Sequence, residues 1–136
     1  MIDHISLRVA DYNRSKNFYL TALAPLGFSL AMETPAGAGF RKGFIPCFWV
    51  KTGTPHVPVP ALDEAVMPGC GGPAIHVAFA ADSREAVDLF YRAAVAAGGR
   101  SNGAPDLRPE YHPNYYSAFV LDPDGYNVEA VYHRPV

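Results

Sequence analysis

The chain has 136 residues, 49% hydrophobic and 18% charged, with a formal net charge of −2. That length suits one domain with a real core, and the charge makes no electrostatic case for nucleic acid or an acidic membrane. No apolar run is long enough to span a bilayer and no signal-peptide pattern opens the chain, so a cytoplasmic protein without membrane or nucleic-acid partners is expected. Cys47 and Cys70 lack zinc-type spacing; free thiols are the default, with a disulfide left open.

Ile2 to Val9 alternates with a period of two, as a half-buried strand does. Ile5, Leu7 and Val9 fall on one face, and His4, Ser6 and Arg8 on the other. Asp11 is placed to cap a helix over Tyr12 to Ala24, whose Phe18, Tyr19, Ala22 and Leu23 supply an apolar side. Pro25 and Gly27 stop it. A strand over Phe28 to Met32, a break over Pro35 to Gly39, and strands over Phe40 to Phe44 and Cys47 to Lys51 complete the first half. Thr52 to Pro73 is rich in Pro and Gly and reads as a linker, with a helical turn near Leu62 to Val66.

The pattern then restarts. Ala74 to Phe79 is a strand carrying His76 on its less apolar face. Asp82 can cap a helix over Ser83 to Ala97, with Glu85 completing a capping box and Gly98 and Gly99 ending the helix. A short strand near Arg100 and strands over Tyr115 to Leu121 and Tyr126 to Tyr132 follow. Asp122-Pro123-Asp124-Gly125 joins the last two as a tight turn.

His4 maps to His76, Phe18-Tyr19 to Phe90-Tyr91, and Gly27 to Gly99, all at an offset of 72 residues. This indicates an internal duplication of a strand-helix-three-strand unit. One domain over residues 1–136 is expected, with module one at 1–52, a linker at 53–73 and module two at 74–136.

If a pseudo-twofold axis relates the halves, His4 and His76 occupy equivalent places. A lone strand histidine is more often structural than a ligand; two at repeat-equivalent positions strengthen the ligand reading. Glu129 interrupts an apolar strand, and a buried carboxylate needs a partner that a metal would supply; a solvent-facing edge glutamate is the alternative. With Asp122 to Gly125 as the turn, Leu121 would face Tyr126, Ala118 would face Glu129 and Tyr116 would face Val131. That register places Tyr116 on the Glu129 face and turns Tyr115, Phe119, Val128 and Ala130 toward the helix. Two histidines and one carboxylate match a facial site with open positions for Fe, Mn, Zn or Ni.

The chain resembles the vicinal oxygen chelate superfamily, which includes glyoxalase I, bleomycin-resistance proteins, fosfomycin-resistance thiol transferases and extradiol dioxygenases. The residues that carry the resemblance are His4-Ile5-Ser6-Leu7-Arg8-Val9, Ile75-His76-Val77-Ala78-Phe79 and Asp122-Pro123-Asp124-Gly125-Tyr126-Asn127-Val128-Glu129. It implies an α+β fold in which two βαβββ modules make an eight-stranded, half-open cupped barrel with helices outside. It implies His4, His76 and Glu129 as ligands of a divalent metal, and a homodimer by analogy. The resemblance is compatible with a cup closed within one chain and with one closed by exchange of modules between two. Glyoxalase I has a further glutamate on the last strand of its first module, whereas Cys47-Phe48-Trp49-Val50-Lys51 carries no carboxylate. Three ligands resemble the dioxygenase and fosfomycin branches more, and Ser6 resembles a hydroxyl of the latter.

Tyr116 is a candidate proton or hydrogen-bond donor, and His112, in the loop before it, a candidate base. Ser6, Arg8, Trp49 and Arg108 are candidates for binding a small-molecule substrate. The function expected is metal-dependent lyase, isomerase or dioxygenase chemistry on a small oxygenated substrate through a metal-bound anionic intermediate. The alternative is a non-catalytic protein that holds an antibiotic or metabolite in the cup.

Overall fold

A computed structural model of the chain describes residues 1–53 and 75–135. Nearly all of the expected linker, with its helical turn near Leu62 to Val66, lies outside the described residues, as does Cys70. The first half comprises β1 (Ile5–Val9), α1 (Tyr12–Leu23), β2 (Ser29–Thr34), β3 (Gly37–Arg41) and β4 (Phe48–Thr52). The second comprises β5 (His76–Ala80), α2 (Arg84–Ala96), β6 (Arg100–Leu107), β7 (Tyr116–Leu121) and β8 (Asn127–Tyr132). Each half makes one four-stranded sheet, in the orders β1-β4-β3-β2 and β5-β8-β7-β6. In each, the first strand runs parallel to the fourth and the other pairs are antiparallel. The structure is thus α+β, with two sheets and no closed barrel among the described residues. No helix among the described residues is long and apolar enough to cross a membrane.

Local chemistry sets the element ends. The Asp11 carboxylate accepts from the Arg14 N–H at 2.9 Å and caps α1. A 3-10 turn over Ala24–Leu26 extends the helix until Gly27, at φ 83°, turns the chain away. Helix α2 is capped by Ser83, whose hydroxyl accepts from the Ala86 N–H. Asp82, the expected cap, instead accepts from Lys42 Nζ at 2.8 Å, across the two halves. The break expected at Pro35 to Gly39 is shorter than its composition suggests, since Gly37 and Gly39 lie within β3. A Cβ at Gly37 would stand 2.5 Å from the Val50 carbonyl oxygen, and one at Gly39 would stand 2.8 Å from the Trp49 ring. Glycine here serves close strand packing rather than a turn.

Both sheets bury their helix-bearing faces in one core. Leu7, Val9, Phe40, Phe48 and Val50 come from the first sheet; Val77, Phe79, Val120, Val128 and Ala130 come from the second. Phe18 and Tyr19 of α1 and Val87 and Phe90 of α2 fill the space between. Phe79 of β5 meets Phe48 of β4 edge-on at 5.1 Å and Phe28 at 5.3 Å. A Cβ at Gly99 would stand 2.5 Å from Val120 and 2.9 Å from Phe18, so the halves meet too closely there for a side chain.

The β7–β8 turn fastens the second half to the first. Asp122 Oδ1 accepts from the Asp124 and Tyr126 N–H groups, and Oδ2 accepts from the buried Tyr19 hydroxyl at 2.6 Å. Asp124 accepts from the Ala10 N–H and the Ser15 hydroxyl, while the Tyr126 hydroxyl donates to the Arg8 carbonyl at 2.7 Å. These bonds hold Tyr126 out of the ladder, so Leu121 pairs with Asn127 rather than with Tyr126. The turn is one residue longer than its sequence suggests, and every β7–β8 pair shifts by one.

Burial lifts the Asp122 carboxyl above its ordinary value, against the lowering pull of its bonds from Tyr19 and the backbone. A group whose folded value is raised contributes its stability at low pH and loses it as pH rises through that value. Asp122→Asn keeps an acceptor for the two N–H groups and removes the charge. Its unfolding free energy relative to wild type should therefore rise as pH increases above about 4. Tyr19→Phe strands a buried carboxylate oxygen and should cost about 1–3 kcal/mol in denaturant unfolding.

Candidate functional site

β5 and β8 lie side by side in parallel, with Ala78 opposite Glu129 and His76 opposite Asn127. This brings His76 Nε2 to 2.9 Å from Glu129 Oε2. Glu129 is only 2% exposed, and its other oxygen accepts from the Tyr115 hydroxyl at 2.7 Å. A buried carboxylate held by two polar neighbours is tolerable where an unpartnered one is not. Burial, then the bond to Glu129 and its charge, push the Tyr115 phenol far up, so it stays protonated and donates. Around this group lies an open pocket of about 360 Å³, lined by His76, Tyr111, Tyr115, Phe119 and Glu129. The Tyr111 and Tyr115 rings meet at 5.1 Å, and His76 lies 6.0 Å from Phe119.

The observed register corrects the expected occupants of this face. Phe119, not Ala118, lies opposite Glu129; Ala118 pairs with Ala130 and is buried in the core. Tyr116 pairs with Tyr132 and turns toward α2, where its hydroxyl donates to Asp88 Oδ1 at 2.8 Å beneath the Arg84 guanidinium. Burial first, then the Asp88 contact, push its phenol up to about 12. Tyr116 is therefore not a donor at this site, and its neighbour Tyr115 is. His112 does not line the pocket; its Nδ1 accepts from the Asn114 N–H at 3.2 Å within the loop that presents Tyr111. Arg108 stands behind the wall, its guanidinium 5.6 Å from the Phe119 ring centroid and bonded to the Ala104 carbonyl.

His4 is not part of this group. It precedes β1, is half exposed, and contacts Asp3 Oδ1 at 2.6 Å. Among the described residues no three His, Cys, Asp or Glu side chains stand together as a metal site. The cause is the shared core: both helix-bearing faces are used up in it, so the faces carrying the two histidines lie on its far sides. His76 and Glu129 offer one imidazole nitrogen and one carboxylate oxygen, a donor pair suited to iron, manganese, zinc or nickel that lacks its third member.

The face bearing His4 has its own character. Ser6 lies opposite Trp49, and Arg8 opposite Lys51. The Trp49 ring lies against Gly39, and Lys51 Nζ is 5.9 Å from its centroid. Arg8 donates to the Thr52 carbonyl at 3.3 Å. Tyr111 is not among the expected site residues, and Tyr115, expected to face the helix, instead shares the Glu129 face because of the extra turn residue.

Tyr115→Phe removes the donor to a buried carboxylate and should lower the unfolding free energy by about 1–3 kcal/mol in urea titration.

A family model for the Glyoxalase/Bleomycin resistance protein/Dioxygenase superfamily matches residues 1–130. No functionally curated protein matches the sequence. Among solved structures, a glyoxalase/bleomycin resistance protein from Albidiferax ferrireducens T118 is 29% identical, with TM-score 0.70 and 98% of each chain covered. A glyoxalase/bleomycin resistance protein/dioxygenase family enzyme from Burkholderia phytofirmans PsJN is 22% identical, with TM-score 0.69 and 98% of each chain covered. TioX from Micromonospora sp. ML1 is 17% identical, with TM-score 0.63, covering 98% of this chain and 96% of its own. The last two are likenesses of fold alone.

Proposed function

The chain belongs to the Glyoxalase/Bleomycin resistance protein/Dioxygenase superfamily, and on that premise we propose that it is a metal-dependent enzyme working as a homodimer. Its substrate is a small oxygenated molecule, and its chemistry that of a lyase, isomerase or dioxygenase. The observation that carries the reading is the buried Glu129 carboxylate, held 2.9 Å from the half-exposed His76 imidazole at the pocket. Desolvating a carboxylate beside an imidazole is costly, and a bound cation would offset that cost.

A divalent ion (iron, manganese, zinc or nickel) would be held by His76, Glu129 and the His4 of a second copy. When bound, it supplies Lewis acidity to a substrate oxygen. The chain's own residues do the rest. Tyr115 holds Glu129 Oε1 and so leaves Oε2 toward His76. Second-neighbour hydrogen bonds of this kind orient a ligand and commonly matter ten- to a hundredfold in metal affinity. Tyr111 and Phe119 wall the pocket with aromatic surface.

The placement of the two histidines supports the dimer. His4 sits on the face of the first sheet turned away from the shared core, and His76 and Glu129 on the corresponding face of the second. Among the described residues His4 does not stand with His76 and Glu129. The first sheet of one copy laid against the second sheet of another would complete two equivalent cups. The rival reading is a non-catalytic protein that binds an antibiotic or metabolite, which the aromatic Tyr111–Phe119 wall also suits.

Elemental mass spectrometry after reconstitution distinguishes them. Wild type should carry about one transition-metal ion per chain, and Glu129→Ala and His76→Ala should carry none. Tyr115→Phe should bind the ion about ten- to a hundredfold more weakly, and Tyr116→Phe as wild type does. A wild-type protein that takes up none of the four metals overturns the enzyme reading in favour of the rival.

A further inference from the structure

We propose that the outward face of the first sheet is a binding surface for a planar organic anion, an aromatic or conjugated carboxylate, with Trp49 as the stacking platform and Arg8 and Lys51 as the anion clamp. As the opposite wall of the active-site cup it rests on the reading above; as a binding surface it stands on its own residues.

The platform comes from glycine. A Cβ at position 39 would stand 2.8 Å from Trp49 Cη2 and Cζ2, so only a bare backbone lets the indole settle against β3. Gly37 and Gly39 fall on this same face by alternation, opposite Lys51 and Trp49, and contribute no side chain to cover it. Trp49 is half-buried, with one side against Gly39. A flat apolar surface beside bare backbone is suited to a planar ring.

The clamp comes from an unbalanced charge pair. Arg8 and Lys51 lie directly opposite one another on β1 and β4, and like charges so placed destabilise a sheet. Among the described residues neither has a carboxylate partner in an ion pair. Arg41 adds a third cation on the same alternation of β3 and is likewise without one. Two opposed cations that nothing in the described structure neutralises are suited to an anion from outside, and arginine's planar fork matches a carboxylate. At about 3.3 Å per residue, Arg8 and Lys51 stand roughly 7 Å along the strands from the Ser6–Trp49 pair. That spacing accommodates one small arene on the indole with its carboxylate between the cations. A neutral ring would gain the stacking alone, and an aliphatic acid the charge alone.

Trp49 is the chain's one tryptophan, so its fluorescence reports on this face directly. The experiment titrates metal-free protein, in excess chelator and low salt, with benzoate, benzamide and acetate, alongside calorimetry. Benzoate should change the emission saturably, with benzamide and acetate at least about tenfold weaker. Arg8→Gln and Lys51→Gln, both surface changes, should each weaken benzoate about tenfold, and added salt should weaken it in wild type. Equal binding of benzamide, unchanged benzoate binding in both variants, or no saturable response up to tens of millimolar overturns the proposal. Metal uptake without benzoate binding overturns this inference alone. Benzoate binding without metal uptake overturns the enzyme reading alone.

Discussion

The rest of the structure depends on one constraint: two amphipathic sheets each cover their apolar face with their own helix, and the helices pack on one another in a single core. Phe79 wedged against Phe28 and Phe48, and Gly99 against Phe18 and Val120, leave no slack between the halves. The Asp122–Tyr126 turn then pins their relative orientation through Tyr19, Ser15, Ala10 and Arg8. Hydrophobic burial provides the non-directional drive, and this polar clasp provides the direction. With both helix-bearing faces consumed, the functional faces have nowhere to go but outward. His4 therefore stands apart from His76 and Glu129 among the described residues.

The second sheet shows what such an outward face costs. Glu129 is buried although it stands on the side away from the core, because Tyr111, Tyr115, Phe119 and His76 close over it. An ionised group there needs partners, and Tyr115 and His76 are those partners. The two faces differ in chemistry: a carboxylate, an imidazole and aromatic rings on one, and an indole, glycines and cations without an ion-pair partner among the described residues on the other. Opposed across a cup, they would hold a ligand at one end by an ion and at the other by charge and stacking.

Much of this was legible in the sequence, for physical reasons. Period-two alternation in Ile5–Val9 and His76–Ala80 revealed which side of each strand is buried, and the shared offset of His4, Phe18-Tyr19 and Gly27 revealed the duplication. Superfamily membership rested on motifs at strand ends, where local pattern is strong. What local pattern could not show was set by long-range contacts. The Asp122 turn took a fifth residue because Tyr126 reaches Arg8, 118 positions away, and that single insertion exchanged Tyr116 for Tyr115 at the site. Gly37 and Gly39 read as a break because their reason for being glycine is the Val50 carbonyl and the Trp49 ring on the neighbouring strand. Whether His4 and His76 meet within a chain depends on how two modules pack, which no periodicity encodes.

The proposed metal site takes His4 from one chain and His76 and Glu129 from another, and a mixed dimer tests that directly. One chain would carry His4→Ala and the other Glu129→Ala, each with its own affinity tag, and the doubly purified heterodimer would be assayed for bound metal. If each cup takes its first sheet from one copy and its second from the other, both substitutions fall in one cup and the other stays whole. The heterodimer should then hold about one ion per dimer. If each chain builds its own cup, both cups are broken, and a heterodimer without metal beside a metal-loaded wild type would contradict the account.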